Sequence, residues 1–303
     1  MQGVSTVTFI DSIVFAQFVS GLSRAMILFI MASGLTLVFG VTRVINFAHG
    51  SFYMVGAYLA YTVTQKLSGP IGFWAAFIIV PILTCILGGA VEVVLLRRIY
   101  EREHLLQMLL TFGLVFVFSD AVRMIWGVEL RMISLPSYMA GSVNLLGHQF
   151  PAYHLFIFGL GVVIALAMWI LLNKTKFGKL LRGAAEHREM VGLLGYPAHR
   201  LFTIVFMMAT FLVGMAGAAI APAVRISLGM DTEIIAECFT IAIIGGLGNV
   251  WGALLGALIA GMLYSFGILV VPKYAMAFIF VLGGIVIVLR PSGLLGKTSQ
   301  VKV

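Results

Sequence analysis

Long apolar runs alternate with short polar segments along almost the whole chain. The runs lie at about 12–39, 47–64, 71–96, 104–125, 152–172, 201–224, 232–245, 250–270 and 274–289. A helix needs about 20 predominantly apolar residues to cross a bilayer, and most of these runs approach or exceed that length. The pattern predicts an all-α, polytopic integral membrane protein with about 8–9 hydrophobic helices. The polar segments are too short to fold alone, so residues 1–303 are expected to form a single transmembrane domain.

The seventh run, 232–245, is shorter than an ordinary crossing, and a glycine-rich break follows it. The break contains Gly245, Gly246 and Gly248, and then Asn249. We therefore interpret the segment near 232–249 as a short broken or re-entrant helix. The glycines could form a tight turn between two helices, or they could leave unwound backbone along a substrate path. The residues alone leave both alternatives open.

Composition agrees with a membrane protein, because 61% of the 303 residues are hydrophobic and only 10% are charged. Soluble domains average about 25% charged residues. The formal net charge of +8 would suggest nucleic acid as a partner of a soluble chain. Here it is better explained by basic loops at one membrane surface, so no nucleic-acid partner is expected.

The distribution of basic residues predicts which loops are cytoplasmic. If every run crosses once, one face carries Arg43, Arg97, Arg98, Arg102, Lys174, Lys176, Lys179, Arg182, Arg188, Arg200, Arg290, Lys297 and Lys302. The opposite face carries Lys66, Arg131, Arg225 and Lys273. Cytoplasmic loops are enriched in Lys and Arg. The first face is therefore predicted to be cytoplasmic, with the N-terminus outside and the C-terminus inside.

Five charged residues lie inside apolar runs: Arg24, Glu92, Asp120, Arg123 and Glu237. Charges are costly in hydrocarbon unless they are paired or hydrated. Asp120 and Arg123 are spaced i, i+3 and are predicted to pair. Glu92 is predicted to pair with Arg97 or Arg98. Glu237 lies beside the glycine break, where a carboxylate could line a translocation path, although the sequence contains no chain of acids and histidines typical of a proton relay.

Polar residues also interrupt the stretch GVTRVINFAHG, residues 40–50. The charge distribution places Arg43 and Asn46 at the cytoplasmic surface, with His49 about one turn deeper. Asn46 is predicted to cap the second helix by accepting a hydrogen bond from a free backbone N–H. The sequence offers no chemical role for His49.

The longest polar loop, about 173–200, contains an amphipathic pattern from about Leu180 to Leu194. Gly195 and Pro197 form a helix stop signal. Such a helix could lie on lipid headgroups or dock into a groove of a soluble partner. Both alternatives fit the pattern.

Signatures of an enzyme or a metal site do not appear in the sequence. The six histidines are scattered without ligand spacing, and no HExxH or GxSxG motif occurs. Cys85 and Cys238 both lie in apolar runs and provide too few ligands for a zinc site. In RPSGLLGKTS, Pro291 stands where a phosphate-binding loop needs glycine. The chain is therefore predicted to bind no nucleotide or metal.

Several segments, in the expected order, resemble the permease subunits of branched-chain amino acid ABC importers. They are GLTLVFGVTRVINFAHGSFYMVGAYLA, RGAAEHREMVGLLGYPAHRLF, GMAGAAIAP, IIGGLGNVWGALLGALIAG and LRPSGLLG. The resemblance covers nearly the whole chain. It is closer to the shorter, livH-type permease of the two that such systems use.

The resemblance implies a permease domain over residues 1–303 in a bacterial inner membrane, where it would import branched-chain or similar amino acids. The implied partners are a second homologous permease, two cytoplasmic ATPase subunits and a periplasmic substrate-binding protein. ATP and Mg would be bound by the ATPases, so the chain would be a transport subunit without an enzyme site or cofactor of its own. Related importers carry urea, amides or other small solutes, and an ion-coupled secondary transporter is the alternative from another class.

The resemblance also implies that the loop at about 173–200 contacts an ATPase. The residues of this ATPase-coupling loop are Ala184, Ala185, Glu186, Arg188, Glu189, Gly192 and Gly195. The shared importer loop begins EAA, whereas this chain has AAE, so the role is assigned to the region rather than to one side chain. The candidates for a translocation path or hinge are Asn46, His49, Glu237, Gly245, Gly246, Gly248 and Asn249.

Overall fold

A computed structural model describes residues 2–67, 69–145, 148–186, 192, 195 and 197–296, with backbone alone for 2–12, 145, 148 and 198. These residues contain ten α-helices: α1 Gln2–Thr42, α2 His49–Lys66, α3 Pro70–Val94, α4 His104–Trp126, α5 Ala152–Lys174, α6 Lys176–Glu186, α7 Ala198–Ile220, α8 Met230–Gly245, α9 Val250–Val270 and α10 Ala275–Leu289. Short 3₁₀ helices occupy Leu96–Arg98 and Pro272–Tyr274.

Nine of these helices correspond to the nine apolar runs, which confirms the all-α, polytopic class. Seven of them are long and apolar enough to cross a membrane: α1, α3, α4, α5, α7, α9 and α10, the last counted together with the 3₁₀ turn before it as Pro272–Leu289. The other two are α2, with 18 residues, and α8, with 16. At 1.5 Å per residue, α8 is about 24 Å long, shorter than the roughly 30 Å hydrocarbon layer. Helix α8 is continuous, and the predicted glycine break lies after its last residue rather than within it.

A small β-hairpin, which the hydrophobic pattern did not predict, precedes α5. Strand β1 (Ser142–Leu145) pairs with β2 (His148–Pro151) in antiparallel register. Phe150 is buried, and its ring centroid lies 5.0 Å from that of Phe15 on α1. The hairpin is therefore held against the helices by an aromatic contact rather than by a larger sheet.

Helix α1 is the centre of the bundle and packs against α5, α7, α8 and α9. Nearly every side chain from 25 to 38 is buried. Small residues allow this packing: Gly34 faces the backbone of Ala209 on α7, and Gly21 faces the backbone of Gly261 on α9. Lipid tails are as apolar as large side chains, so burying such side chains does not drive helices together in a membrane. Close approach of the helix backbones at small residues provides the dispersion contacts that do.

The predicted ion pair of Glu92 with Arg97 is confirmed. The Glu92 side chain is buried, and its Oε2 lies 3.3 Å from Arg97 Nη2. Thr203 on α7 joins the pair, since its hydroxyl donates to Glu92 Oε2 at 2.8 Å and accepts from Arg97 Nη2 at 2.6 Å. This cluster fixes the end of α3 to the start of α7.

The predicted ion pair between Asp120 and Arg123 is wrong. Both residues are exposed on α4, and no salt bridge joins them within the described part of the chain. The i, i+3 spacing permits a contact but does not impose one.

Candidate translocation site

The connection between α1 and α2 turns back into the helix bundle instead of staying at the end of α1. Helix α1 ends at Thr42, Arg43 adopts a left-handed backbone with φ of 57°, and residues 44–46 have no regular structure. Helix α2 starts at His49, whose Nε2 lies 3.0 Å from the Met31 carbonyl. Met31 precedes the end of α1 by eleven residues, which is roughly 16 Å along the helix axis. The start of α2 is therefore deep within the bundle.

The surroundings of Asn46 correct its predicted position and role. Asn46 is 1% exposed, not at a surface, and neither atom of its amide has a hydrogen-bond partner among the described residues. The N-cap of α2 is Ala48, which receives no side-chain cap bond. Asn46 contributes only its backbone carbonyl, which accepts from the His49 N–H at 3.3 Å. The capping prediction fails because the helix starts further along the chain than the polar pattern indicates.

Helices α4 and α8 hold the inserted segment in place. The Thr111 hydroxyl of α4 donates to the Ile45 carbonyl at 3.3 Å. The Phe47 ring lies 6.1 Å from that of Phe112 on α4 and 5.2 Å from that of Phe239 on α8. Irregular backbone at membrane depth persists only where protein or water satisfies it. Here protein supplies at least one of the hydrogen bonds, at Ile45.

The first turns of α2 and α8 meet beside this segment. The Ser51 hydroxyl donates to Asp231 Oδ2 at 3.1 Å, and a Cβ at Gly50 would overlap the Asp231 carbonyl oxygen. Asp231 is 1% exposed, and a carboxylate in the first turn of a helix is stabilised by the helix dipole. Asp231 was missed at the sequence level; its position just after Gly229, at the start of a helix, was the available signal.

A cavity of about 350 Å³ lies between α1, α2, α5, α7, α8 and the segment that links α7 to α8. Its charged lining residues are Arg24, Arg225, Glu233 and Glu237. Its other polar lining residues are Ser20, Ser23, Tyr53, His154 and Ser227. The remaining lining is mostly aliphatic, from Ile27, Leu28, Ile157, Ile220, Val224 and Ile234. The cavity thus combines charges of both signs with an apolar wall.

Arg24 and Glu237 form an ion pair in this cavity. Arg24 Nη2 donates to both carboxylate oxygens of Glu237 at 2.8 Å. The guanidinium carbon lies 3.6 Å from the ring centroid of Tyr264 on α9, a cation–π contact. The Glu237 side chain is 3% exposed and that of Arg24 is 32% exposed. The sequence indicated Glu237 as a path candidate but not its partner, since 213 residues separate the two.

The glycine-rich break forms a tight turn at the other end of α8 from the cavity. Gly245 packs against the backbone of Gly252, and Gly246 has a φ of 104°, which only glycine adopts readily. The Asn249 side chain caps α9, accepting from the N–H groups of Trp251 and Gly252 at 3.0 and 3.2 Å. The path candidates therefore do not form one cluster.

The segment after α10 closes this turn. The N–H groups of Leu294 and Leu295 donate to the carbonyls of Ile244 and Gly245 at 2.8 and 3.0 Å. These carbonyls would otherwise lack a partner at the end of α8. Asn249 Nδ2 also donates to the Leu295 carbonyl at 2.6 Å. The residues of LRPSGLLG thus satisfy the backbone at the end of a neighbouring helix.

Helix α6 contains the first three coupling-loop residues. It starts at Lys176, about one turn before the predicted start. Gly178, Leu181 and Ala184 are buried against the bundle, whereas Lys179, Arg182 and Glu186 are exposed. Ala185 is half-buried, and Arg188 and Glu189 lie outside the described residues. Gly192 is exposed, and the Gly195 N–H donates to its carbonyl at 3.1 Å. Ala184 is therefore turned towards the permease itself.

Residues 17–289 match the family described as the branched-chain amino acid transport system permease component. The chain is 28% identical over 306 residues to the high-affinity branched-chain amino acid transport system permease protein BraD of Pseudomonas aeruginosa, covering 95% of this chain and 97% of that protein. It is 25% identical to LivH of Escherichia coli K12, with the same coverage. The ribose import permease protein RbsC of Haemophilus influenzae is 26% identical over 77% of this chain and 72% of its own length. No solved structure matches the chain. With the family matched across nine-tenths of its length, the chain belongs to the branched-chain amino acid transport system permease family.

Proposed function

We propose that the protein imports branched-chain or similar amino acids into the cytoplasm as one membrane subunit of an ABC importer. Its relatives BraD and LivH are named as high-affinity branched-chain amino acid permeases and align with it almost end to end. That full-length relationship carries the proposal. The aliphatic and charged cavity between α1 and α8 is compatible with such a solute.

The remaining subunits follow from the same relationship. A second homologous permease would complete the membrane part, two ATPase subunits would bind ATP and Mg, and a periplasmic protein would deliver the solute. No phosphate-binding loop occurs in this sequence, which agrees with hydrolysis on separate subunits. The chain itself is a transport subunit and needs no cofactor of its own.

The proposed orientation, which rests on the distribution of Lys and Arg, has the N-terminus outside and the C-terminus in the cytoplasm. Contacts support the grouping of loops on which the charge count depends. Gly40 faces Gly248, and Asn249 bonds to Leu295, so three of the basic-side loops meet at one end. Arg131 and Ile226 exchange backbone hydrogen bonds at 3.0 and 2.9 Å and join two loops of the other face.

The exposed side of α6 would be the surface that contacts an ATPase. Lys179, Arg182 and Glu186 lie on this side, and Leu181 and Ala184 anchor the helix to the bundle. A movement of the ATPases would displace α6, and α6 would in turn displace α5, against which it packs. The inserted segment with Asn46 and His49, and the turn of Gly245, Gly246, Gly248 and Asn249, are the candidate hinges.

Reconstitution tests this function. The chain is placed in proteoliposomes with its cognate second permease, two ATPase subunits and binding protein, and uptake of radiolabelled leucine is measured. Uptake should require ATP and stop when the ATPases carry a substitution that blocks hydrolysis. Uptake that continues without ATPases under an imposed proton gradient would instead establish a secondary transporter. Competition by urea or acetamide, without competition by valine, would assign the related small-solute class.

A further inference from the structure

We infer that the cavity lined by Arg24 and Glu237 is a binding site for the zwitterionic head group of an amino acid during its passage. Arg24 would bind the α-carboxylate, Glu237 and Glu233 would bind the ammonium group, and the aliphatic wall would contact the side chain. This inference rests on the proposed function, because it assigns the amino acid to particular residues of the chain.

The cavity has a suitable size. Small-molecule sites commonly measure about 300–1,000 Å³, and this cavity, at about 350 Å³, lies at the lower end of that range. Five helices contribute to its wall, so a relative movement of α1 and α8 would change its shape. A small amino acid fits a space of this volume, whereas a peptide does not.

The ion pair retains hydrogen-bonding capacity for a ligand. A guanidinium has five N–H donors, and Arg24 uses one nitrogen, Nη2, for Glu237. Arg24 Nε is buried and has no partner among the described residues. Each Glu237 oxygen accepts one hydrogen bond from Arg24 and has lone pairs left for an ammonium group. A zwitterion could therefore join the pair without separating its members.

The other two charged residues of the lining repeat the same combination of signs. Arg225 and Glu233 are both exposed, and within the described part of the chain neither forms a salt bridge. Each sign of charge is thus present both at an exposed position and in the Arg24–Glu237 pair. A zwitterion can satisfy both signs at once, whereas a simple carboxylate or amine leaves one sign unmatched.

A purely structural ion pair is the competing explanation. A structural pair needs only opposite charges at positions 24 and 237. A ligand site needs the positive charge at position 24, for the carboxylate, and the negative charge at position 237, for the ammonium group. The double variant R24E/E237R keeps a pair but exchanges its signs. Glu237→Gln keeps the shape and removes the charge, and Arg24→Lys keeps the charge but loses the fork of donors.

The first measurement is transport by the assembled system, with the amount of folded complex determined in parallel by size-exclusion chromatography. Arg24→Lys and Glu237→Gln should assemble and should lower leucine uptake roughly tenfold or more, because a hydrogen bond to a charged ligand group is lost. The double variant should assemble but remain inactive. Leucine uptake near the parental level in the double variant would overturn the inference.

The second measurement detects occupancy without relying on the rate of uptake. Ser227→Cys places a thiol in the cavity lining, and Ser137→Cys places one at an exposed position outside it. In the assembled transporter, leucine should slow labelling of the first cysteine by a small thiol reagent and leave the second unchanged. Equal labelling of Ser227→Cys with and without leucine, in a complex that imports leucine, would overturn the inference about the binding site and leave the proposed function standing. A parental complex that imports no amino acid would overturn the proposed function as well.

Discussion

His49 and Met31 are joined by a hydrogen bond of 3.0 Å between the imidazole Nε2 and the backbone carbonyl, at a site where His49 is 1% exposed. A carbonyl only accepts, so Nε2 must carry the hydrogen. The bond links the first residue of α2 to a point eleven residues before the end of α1, and it fixes how far the connection between them enters the bundle. His49, for which the sequence offered no role, has a structural one.

Replacing His49 should therefore loosen the contact between α1 and α2. His49→Leu removes the donor, and we expect a loss of about 1–2 kcal/mol in the free energy of unfolding. His49→Gln keeps an N–H donor on a side chain of similar reach and should lose less. Thermal unfolding of the purified protein in detergent compares the two. Equal stability of the Leu variant and the parent would contradict the structural role.

The cluster of Glu92, Arg97 and Thr203 gives a second prediction. Glu92→Ala removes the carboxylate that accepts from both the Arg97 guanidinium and the Thr203 hydroxyl, and it should lower the free energy of unfolding by about 1–3 kcal/mol. Glu101→Ala is the matched control, because Glu101 is exposed and close in sequence. Thermal unfolding measures both variants. A control as unstable as Glu92→Ala would show that the cluster has no special contribution.

The positions of the helices were predicted well from the sequence. Each helix that is buried or in contact with lipid needs its own run of apolar residues, and that run is visible in the sequence. The depth of the segment before α2 did not follow, since it depends on how α1, α4 and α8 surround residues 43–48. The partner of Glu237 could not be predicted either, as 213 residues separate it from Arg24. The hairpin before α5 escaped prediction because its strands are only four residues long. Long-range contacts, rather than local patterns, determine the depth of residues 43–48 and the pairing of Glu237.

The turn after α8 gives a third prediction. A Cβ at Gly245 would overlap the backbone of Gly252, whereas a Cβ at Gly284 on α10 would have nothing within 4 Å. Gly245→Ala should force the two helices apart and cost about 1–3 kcal/mol of stability. Gly284→Ala should be neutral or slightly stabilising, since alanine favours helix. The apparent melting temperatures of the two variants provide the comparison, and a tolerated Gly245→Ala would argue against close packing there.

The two sides of α6 should differ in contact with an ATPase. Cysteine at Glu186, on the exposed side, should crosslink to a cysteine on a co-expressed ATPase subunit. Cysteine at Ala184, which is 3% exposed, should not. Immunoblots of membranes treated with a short bifunctional thiol reagent distinguish the two. Equal crosslinking at both positions would mean that α6 leaves the bundle in the complex.

The orientation of the chain can be tested with an impermeant thiol reagent on intact cells. Ser137 and Lys176 are both exposed, and the charge distribution predicts that they lie on opposite sides of the membrane. A cysteine at Ser137 should react from outside, and one at Lys176 should react only after the membrane is permeabilised. A Cys85→Ala background removes a half-buried native thiol, and Cys238 is fully buried. Labelling of Lys176→Cys in intact cells would show that the proposed orientation is wrong. Helix α6 would then lie outside the cell, where no cytoplasmic ATPase could contact it.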